Sequence, residues 1–258
     1  MSEYVEVAEA IELDGMRLAL TAGVPGPWSE SAKAIFHVKK IPYVRVRQVG
    51  GMENAELRAW TGRSNAPVAV YNDEPPVDGW ADILGLAERI APEPPLIPED
   101  REERLRMFGL CHEICGPGGF GWERRLLLIA SLLEPDQPDS AKAPALTLAK
   151  RYGYTKARAE TARGRLCEIL TALSNHLIAQ RAAGSPYFIG TRLTALDLYW
   201  ACFAALHQPL SPDQCPMPEW LRDGYTVTDP ALLEAAGPIL LDHRDFIYEH
   251  HLELPLDF

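Results

Sequence analysis

The side chains able to do chemistry gather in a few short stretches. In "CHEIC", Cys111 and Cys115 stand four apart on one helical face with His112 beside them, a set that suits a soft metal. A structural zinc needs four ligands, and no paired spacing elsewhere supplies the remainder. No metal site is expected. Cys111, Cys115, Cys167, Cys202 and Cys215 make an odd number without an export signal, the pattern of reduced thiols that fill core space. His243, His250 and His251 read as a solvated helix face. The Gly-rich "GPGGFG" lacks the strand-turn-helix setting and the Lys of a phosphate loop. Ser29 and Asp78 are different, because each stands where a helix opens. A hydroxyl or carboxylate there can cap the helix, and the N–H groups of such an opening can hold an anionic ligand.

The hydrophobic pattern outlines the elements that must hold these residues. "MRLALTAG" is a short apolar strand ending at Gly23, and "SESAKAIFHVKK" carries Ala32, Ile35, Phe36 and Val38 at mainly helical spacing. "YVRVRQV" alternates as a half-buried strand does. A helix around "ENAELRAW", a strand in "PVAVYN" and a helix after Asp78-Gly79 complete a β-α-β-α-β-α order, which predicts an α/β domain over residues 1–91. The proline-rich "APEPPLIPED" then reads as a stiff linker.

Residues 100–258 read as an all-helical domain. Asp100 and Glu103 can form a reciprocal cap, and "SLLEPDQPDSAKAPA" is expected to be a surface loop. Ala162, Leu166, Ile169, Leu170, Leu173 and Leu177 trace the stripe of a long helix between Thr155 and Gly184. Thr194 and Asp197 stand at capping-box spacing, with Leu193 and Leu198 placed as a hydrophobic staple.

A net charge of -11 and a pI near 5.1 would repel phosphate backbones and anionic lipid. Nucleic acid and membrane surfaces are therefore poor partners. No apolar run approaches the roughly 20 residues that span a bilayer. The acidic "MSEYVEVAEAIELDG" has neither the basic nor the apolar region of a signal peptide. A soluble, cytoplasmic protein is expected.

The α/β front end, the proline linker and a helical back end containing "YFIGTRLTALDLYWA" together resemble the cytosolic glutathione transferases, whose second domain carries an "fl.G..ltiaD" box. The resemblance spans nearly the whole chain. It implies the glutathione transferase fold, an α/β thioredoxin-like N-terminal domain followed by an all-α domain. "APVAVY" is similar to the family's "VPVL", which implies that Pro67 is cis and that the backbone of Ala66 pairs with the cysteinyl part of glutathione. Set ungapped against "DSWAILEYLAER", the stretch "DGWADILGLAER" places Asp78 on the acidic residue and Gly79 on the serine that receives the γ-glutamyl group. The serine hydroxyl is missing. Asp78 remains either a ligand acceptor or only a helix cap.

Members of the family carry Ser, Tyr or Cys near the end of the first strand, where a hydroxyl and the helix dipole favour the glutathione thiolate. Here the thioredoxin-type C-P-x-C frame falls on Gly26, Pro27, Trp28 and Ser29. Gly26 supplies no nucleophile, so thiol-disulfide exchange by the protein itself is excluded. Ser29, with Trp28 beside it, is the candidate catalytic hydroxyl, or else a helix cap. The backbone amides of Gly26 to Trp28 are candidate donors to the sulfur. The electrophile would lie over the first helix of the back half, where Phe108, Cys111, His112, Cys115, Phe120 and Trp122 can form an apolar wall. The resemblance thus implies transfer of glutathione, as co-substrate, to a small hydrophobic electrophile by a homodimer. The alternative is a non-catalytic protein of the same fold that binds glutathione weakly, another small ligand or a protein partner.

Overall fold

The computed structural model describes residues 3–258. The chain forms two compact units. The first comprises residues up to Ile97 together with Leu210–Met217 and Ile247–Phe258, and the second comprises Pro98–Pro209 and Pro218–Phe246. The sequence predicts one helical domain from residue 100 to 258. The segments 210–217 and 247–258 instead group with the first unit, held there by polar contacts that hydrophobic periodicity does not register. Lys33 Nζ donates to Asp257 O at 2.6 Å, Arg45 Nη1 to Asp257 Oδ2 at 3.1 Å, and Leu256 N to Gln214 O at 2.7 Å.

In the first unit a helix α1 (Val7–Ile11) precedes β1 (Met16–Thr21), α2 (Pro27–Val38), β2 (Tyr43–Gln48), α3 (Ala55–Thr61), β3 (Val68–Tyr71) and α4 (Trp80–Ile90). The strands form a three-stranded sheet in the order β2-β1-β3, with β1 parallel to β2 and antiparallel to β3. Ala19, Val46 and Val68 pack on one sheet face with Val7 and Ala10 of α1 and Leu57 of α3. Leu18 and Leu20 point to the opposite face by strand alternation and are also buried. Helix α1 is too short to show a period, and its two buried side chains explain why it forms. The alternation read in β2 is clear only at Val46 to Gln48, because Arg45 is partly covered by Asp257.

The second unit opens with α5 (Arg101–Cys115), α6 (Phe120–Leu132), α7 (Asp139–Tyr152) and α8 (Lys156–Ala182). α9 (Ala195–Phe203), a 3-10 turn (Ala204–Leu206), α10 (Glu219–Tyr225) and α11 (Pro230–His251) follow, the end of α11 lying in the first unit. All six stripe residues of α8 are buried. The loop expected over 131–145 is confined to 133–138, since α7 starts at Asp139 and carries Pro144 within it. At the sixth helical position Pro144 lies past the first turn, so it forgoes one hydrogen bond within α7, to the carbonyl of Ser140. Asp100 accepts from Glu103 N at 2.9 Å. The reciprocal bond does not form, because the Glu103 carboxylate lies near Gly190, where an added Cβ would be 3.0 Å from Oε1.

The capping box at Thr194 and Asp197 is present. Asp197, fully buried, accepts from Thr194 N at 2.8 Å, Thr194 Oγ1 at 2.9 Å and Phe188 N at 2.9 Å, and its Oδ1 is 3.0 Å from His243 Nε2. His243 is therefore a core residue and not part of a solvated face; only its neighbours His250 and His251 reach solvent. Two helical turns separate His243 from His250 after the bend at Gly237, so spacing alone sets them near one side of α11, and it is the contact with buried Asp197 that takes His243 out of solvent.

Candidate functional site

Sheet register brings three segments of the first unit to one edge. β1 ends at Thr21 opposite Gln48, and Ala19 lies opposite Val68, so β3 begins beside the end of β1. Pro67 and Ala66 lie one and two residues beyond that pairing, and the Ala66–Pro67 bond is cis, as the resemblance implies. Val77 then pairs antiparallel with Ala69 through bonds of 2.8 and 2.9 Å. Continuing that register sets Asp78 and Gly79 alongside Val68 and Pro67. The turn after β1 leads at the same edge into α2. Trp28, Ser29, Ala66, Pro67, Asp78 and Gly79 thus converge by topology.

Gly26 is the N-cap of α2 and Pro27 its first residue, a common pairing of an uncapped glycine with a proline whose missing N–H costs nothing there. Ser29 is consequently the third helical residue and not the cap. It is 4 % exposed, and its hydroxyl has no hydrogen-bond partner among the described residues. A Cβ added at Gly26 would stand 4.0 Å from Ser29 Oγ and meet nothing nearer. The serine hydroxyl therefore reaches back toward the helix start, next to the space that a side chain at position 26 would fill. Gly26 N donates to Val24 O at 2.8 Å and Pro27 has no N–H. Both are thereby excluded as backbone donors to a ligand sulfur, which corrects the expectation for Gly26 and Pro27.

The opening of α4 departs from the expected arrangement too. Gly79 is its N-cap, so Asp78 precedes the cap, and the Asp78 carboxylate accepts from Arg63 Nε at 2.6 Å. A Cβ at Gly79 would lie 2.5 Å from Asp82 Oδ2. The Asp82 carboxylate occupies the room that glycine leaves, an acidic group in the first turn where the helix dipole favours it. Sequence reading singles out neither Arg63 nor Asp82. A hydrophobic pattern interrupted by Asp at the third helical position is the one available signal for Asp82.

Behind this edge a polar network fixes the loop that carries Ala66. Gln48, 1 % exposed, accepts from Thr21 Oγ1 at 2.7 Å and donates to Val49 O at 3.0 Å and Ser64 O at 3.2 Å. Asn54 Nδ2 donates to the same Ser64 O at 3.1 Å. Two amides converge on one carbonyl two residues before Ala66. Periodicity registers Gln48 only as an end to β2, which is why sequence reading passes over it.

The remaining candidates lie in the second unit. Phe108 is half-buried and His112 exposed, one helical turn apart on α5. The His112 ring folds over Gly116, where an added Cβ would be 2.4 Å from Nδ1. Trp122 donates from Nε1 to Tyr152 O at 3.2 Å and sets its ring edge-on to Tyr152 at 4.8 Å. Cys111, Cys115 and Phe120 are buried core residues, correcting their assignment to an apolar wall. Burial pushes both thiols well above their ordinary range.

An α/β unit with this sheet, followed by helices with an internal capping box, defines the thioredoxin-like plus all-helical architecture. The chain has the fold of the glutathione S-transferases. It is similar to the β-etherase LigF of Sphingobium sp. strain SYK-6 at 16% identity, covering 90% of this chain and 94% of that one, with a TM-score of 0.63. It is likewise similar to a glutathione S-transferase of Xanthobacter autotrophicus Py2, at 16% identity over 93% and 96% of the two chains, TM-score 0.61. A glutathione transferase homologue from Sulfitobacter, solved with bound glutathione, is similar at 15% identity over 92% and 93%, TM-score 0.55. No family model and no curated protein matches the chain. Among the described residues no helix is long and apolar enough to cross a membrane.

Proposed function

We propose that the first unit binds glutathione at the edge formed by Trp28, Ser29, Ala66, Pro67 and Gly79, and that the protein adds the glutathione thiolate to a small hydrophobic electrophile. The observation that carries this reading is the Ser29 hydroxyl. It has no protein partner among the described residues, and it reaches back to within 4.0 Å of the place a Gly26 Cβ would take. A donor there, at a helix start, stabilises an anionic sulfur and lowers its pKa from about 8.5. The backbone of Ala66 would pair with the cysteinyl part of the ligand. Phe108, His112 and Trp122 are proposed to contact the electrophile. A solved neighbour with bound glutathione and another in complex with glutathione sulfonate support the choice of ligand. A homodimer in the cytoplasm is the setting we propose.

The test is calorimetric titration of the protein with glutathione, then initial rates with a chloronitrobenzene electrophile. Ser29→Ala should lower the rate by roughly tenfold or more, the scale for one positioned donor, and move the pH profile upward while leaving affinity nearly unchanged. Absence of glutathione binding to the wild-type protein would sink the proposal. A second reading, ligand binding without conjugation, is favoured by Asp82 over the α4 start and by Arg63 on Asp78. Under that reading glutathione binds, no electrophile is consumed and Ser29→Ala changes only stability.

A further inference from the structure

The second unit carries a groove of about 560 Å³ between α8 and α11, a size usual for small-molecule sites. Its origin is the break in α11. Gly237 has φ 56° and ψ 178°, and Pro238 follows it. Ser174 Oγ, from α8, donates to Ala235 O at 3.1 Å and Ala236 O at 2.7 Å, so carbonyls at the break are satisfied from within the protein. The lining sets an aliphatic wall of Ile178, Ala231, Pro238 and Ile239 beside the polar Thr171 and Asn175. Ile178 is 52 % exposed.

Two further features select what would enter. Cys167 lines this groove, and it is the one cysteine of five that is not buried. The single charged side chain in the lining is Glu234, which disfavours anions. A thiol and an apolar wall suit an apolar electrophile, and the Glu234 carboxylate selects against anionic ones. We propose that this groove is a second ligand site, separate from the glutathione edge, that takes neutral α,β-unsaturated carbonyl compounds and presents them to the Cys167 thiol. The sulfur bonds to the β-carbon as the C=C π bond breaks. The electron pair passes to the enolate, and the proton lost by the thiol ends on the α-carbon. The addition needs no oxidant, reductant or leaving group.

Maleimides test this, because one reactive ring can carry different substituents. The full-length protein is treated at neutral pH with N-phenylmaleimide, N-ethylmaleimide or anionic maleimidobutyrate, and adducts are mapped by mass spectrometry, with rates normalised to those on free cysteine. The expected result is a single adduct at Cys167, with the phenyl reagent favoured over the anionic one by about tenfold or more beyond its ratio on free cysteine, as burial of its ring in the groove would give. Ile178→Asp should abolish most of that preference while N-ethylmaleimide still reacts, and Glu234→Gln should accelerate the anionic reagent. Ile239→Asp serves as a second wall variant if Ile178→Asp folds poorly. An unmodified Cys167, a phenyl preference equal to that of free cysteine, or a preference untouched in both wall variants would each overturn the proposal.

Discussion

Replacing Asp197 by alanine should be among the most damaging single substitutions in the second unit. Its carboxylate is fully buried and serves Thr194 N, Thr194 Oγ1, Phe188 N and His243 Nε2 at 2.8 to 3.0 Å. A capping residue alone is worth about 1 kcal/mol. Here alanine also strands buried donors from α9, from the segment before it and from α11, each costing about 1–3 kcal/mol when left unpaired. These costs are not additive, and the Thr194 hydroxyl can turn elsewhere. A loss of about 4 kcal/mol is therefore expected, which is a large share of the roughly 5–15 kcal/mol that holds an ordinary domain. Thr194→Ala, which removes one hydroxyl and leaves the carboxylate in place, should cost about 1 kcal/mol. The assay is urea unfolding followed by circular dichroism, comparing midpoints at matched slopes. Asp197→Asn separates charge from shape: it keeps one acceptor oxygen but turns an N–H₂ toward existing donors, so it should fall between the two. If Asp197→Ala costs no more than Thr194→Ala, the four-fold acceptor does not hold the second unit together.

Three other perturbations have definite expected outcomes. His207 is buried and its pKa is lowered to about 4 by desolvation, helped by Arg124 and Arg244; since the unfolded chain takes up that proton near pH 6.5, stability should fall by about 3 kcal/mol as the pH drops from 6.5 to 4, and His207→Leu should flatten that part of a stability-pH curve relative to wild type. Lys39 Nζ, deeply buried, donates to Ala91 O at 2.9 Å and Pro92 O at 3.2 Å and pairs with Glu88, so Lys39→Met should cost about 3 kcal/mol in thermal unfolding by leaving that carboxylate and two carbonyls without their cation; a loss below about 1 kcal/mol would mean that the linker end is not anchored there. Gly26 has φ -68° and ψ 126°, and a Cβ there meets only Ser29 Oγ at 4.0 Å, so Gly26→Ser should fold normally, gain a few tenths of a kcal/mol as an N-cap, and raise any conjugation rate by adding a hydroxyl at the helix start; an unchanged rate in a protein that binds glutathione would count against that placement.

Patterns carried by nearest neighbours along the chain are legible in the sequence. The apolar run of β1, the stripe Ala162 to Leu177 on α8 and the Thr194–Asp197 box each follow from spacing that a strand or helix imposes on its own side chains. The cis bond at Pro67 is reached through resemblance, since sequence alone does not distinguish it from an ordinary proline. What only the tertiary structure decided are the polar partnerships made across long separations. Arg63 takes Asp78, Gln48 and Asn54 share Ser64 O, His243 completes the shell of Asp197, and Asp257 reaches Lys33 and Arg45. No period marks such residues, because a hydrogen bond depends on where two backbones pass and a single polar side chain leaves no rhythm in the sequence. The same reason governs Ser29: whether it caps a helix or looks back from its third position depends on which residue ends the preceding turn, and that is set by Gly26 and Pro27 only once β1 is seated in the sheet.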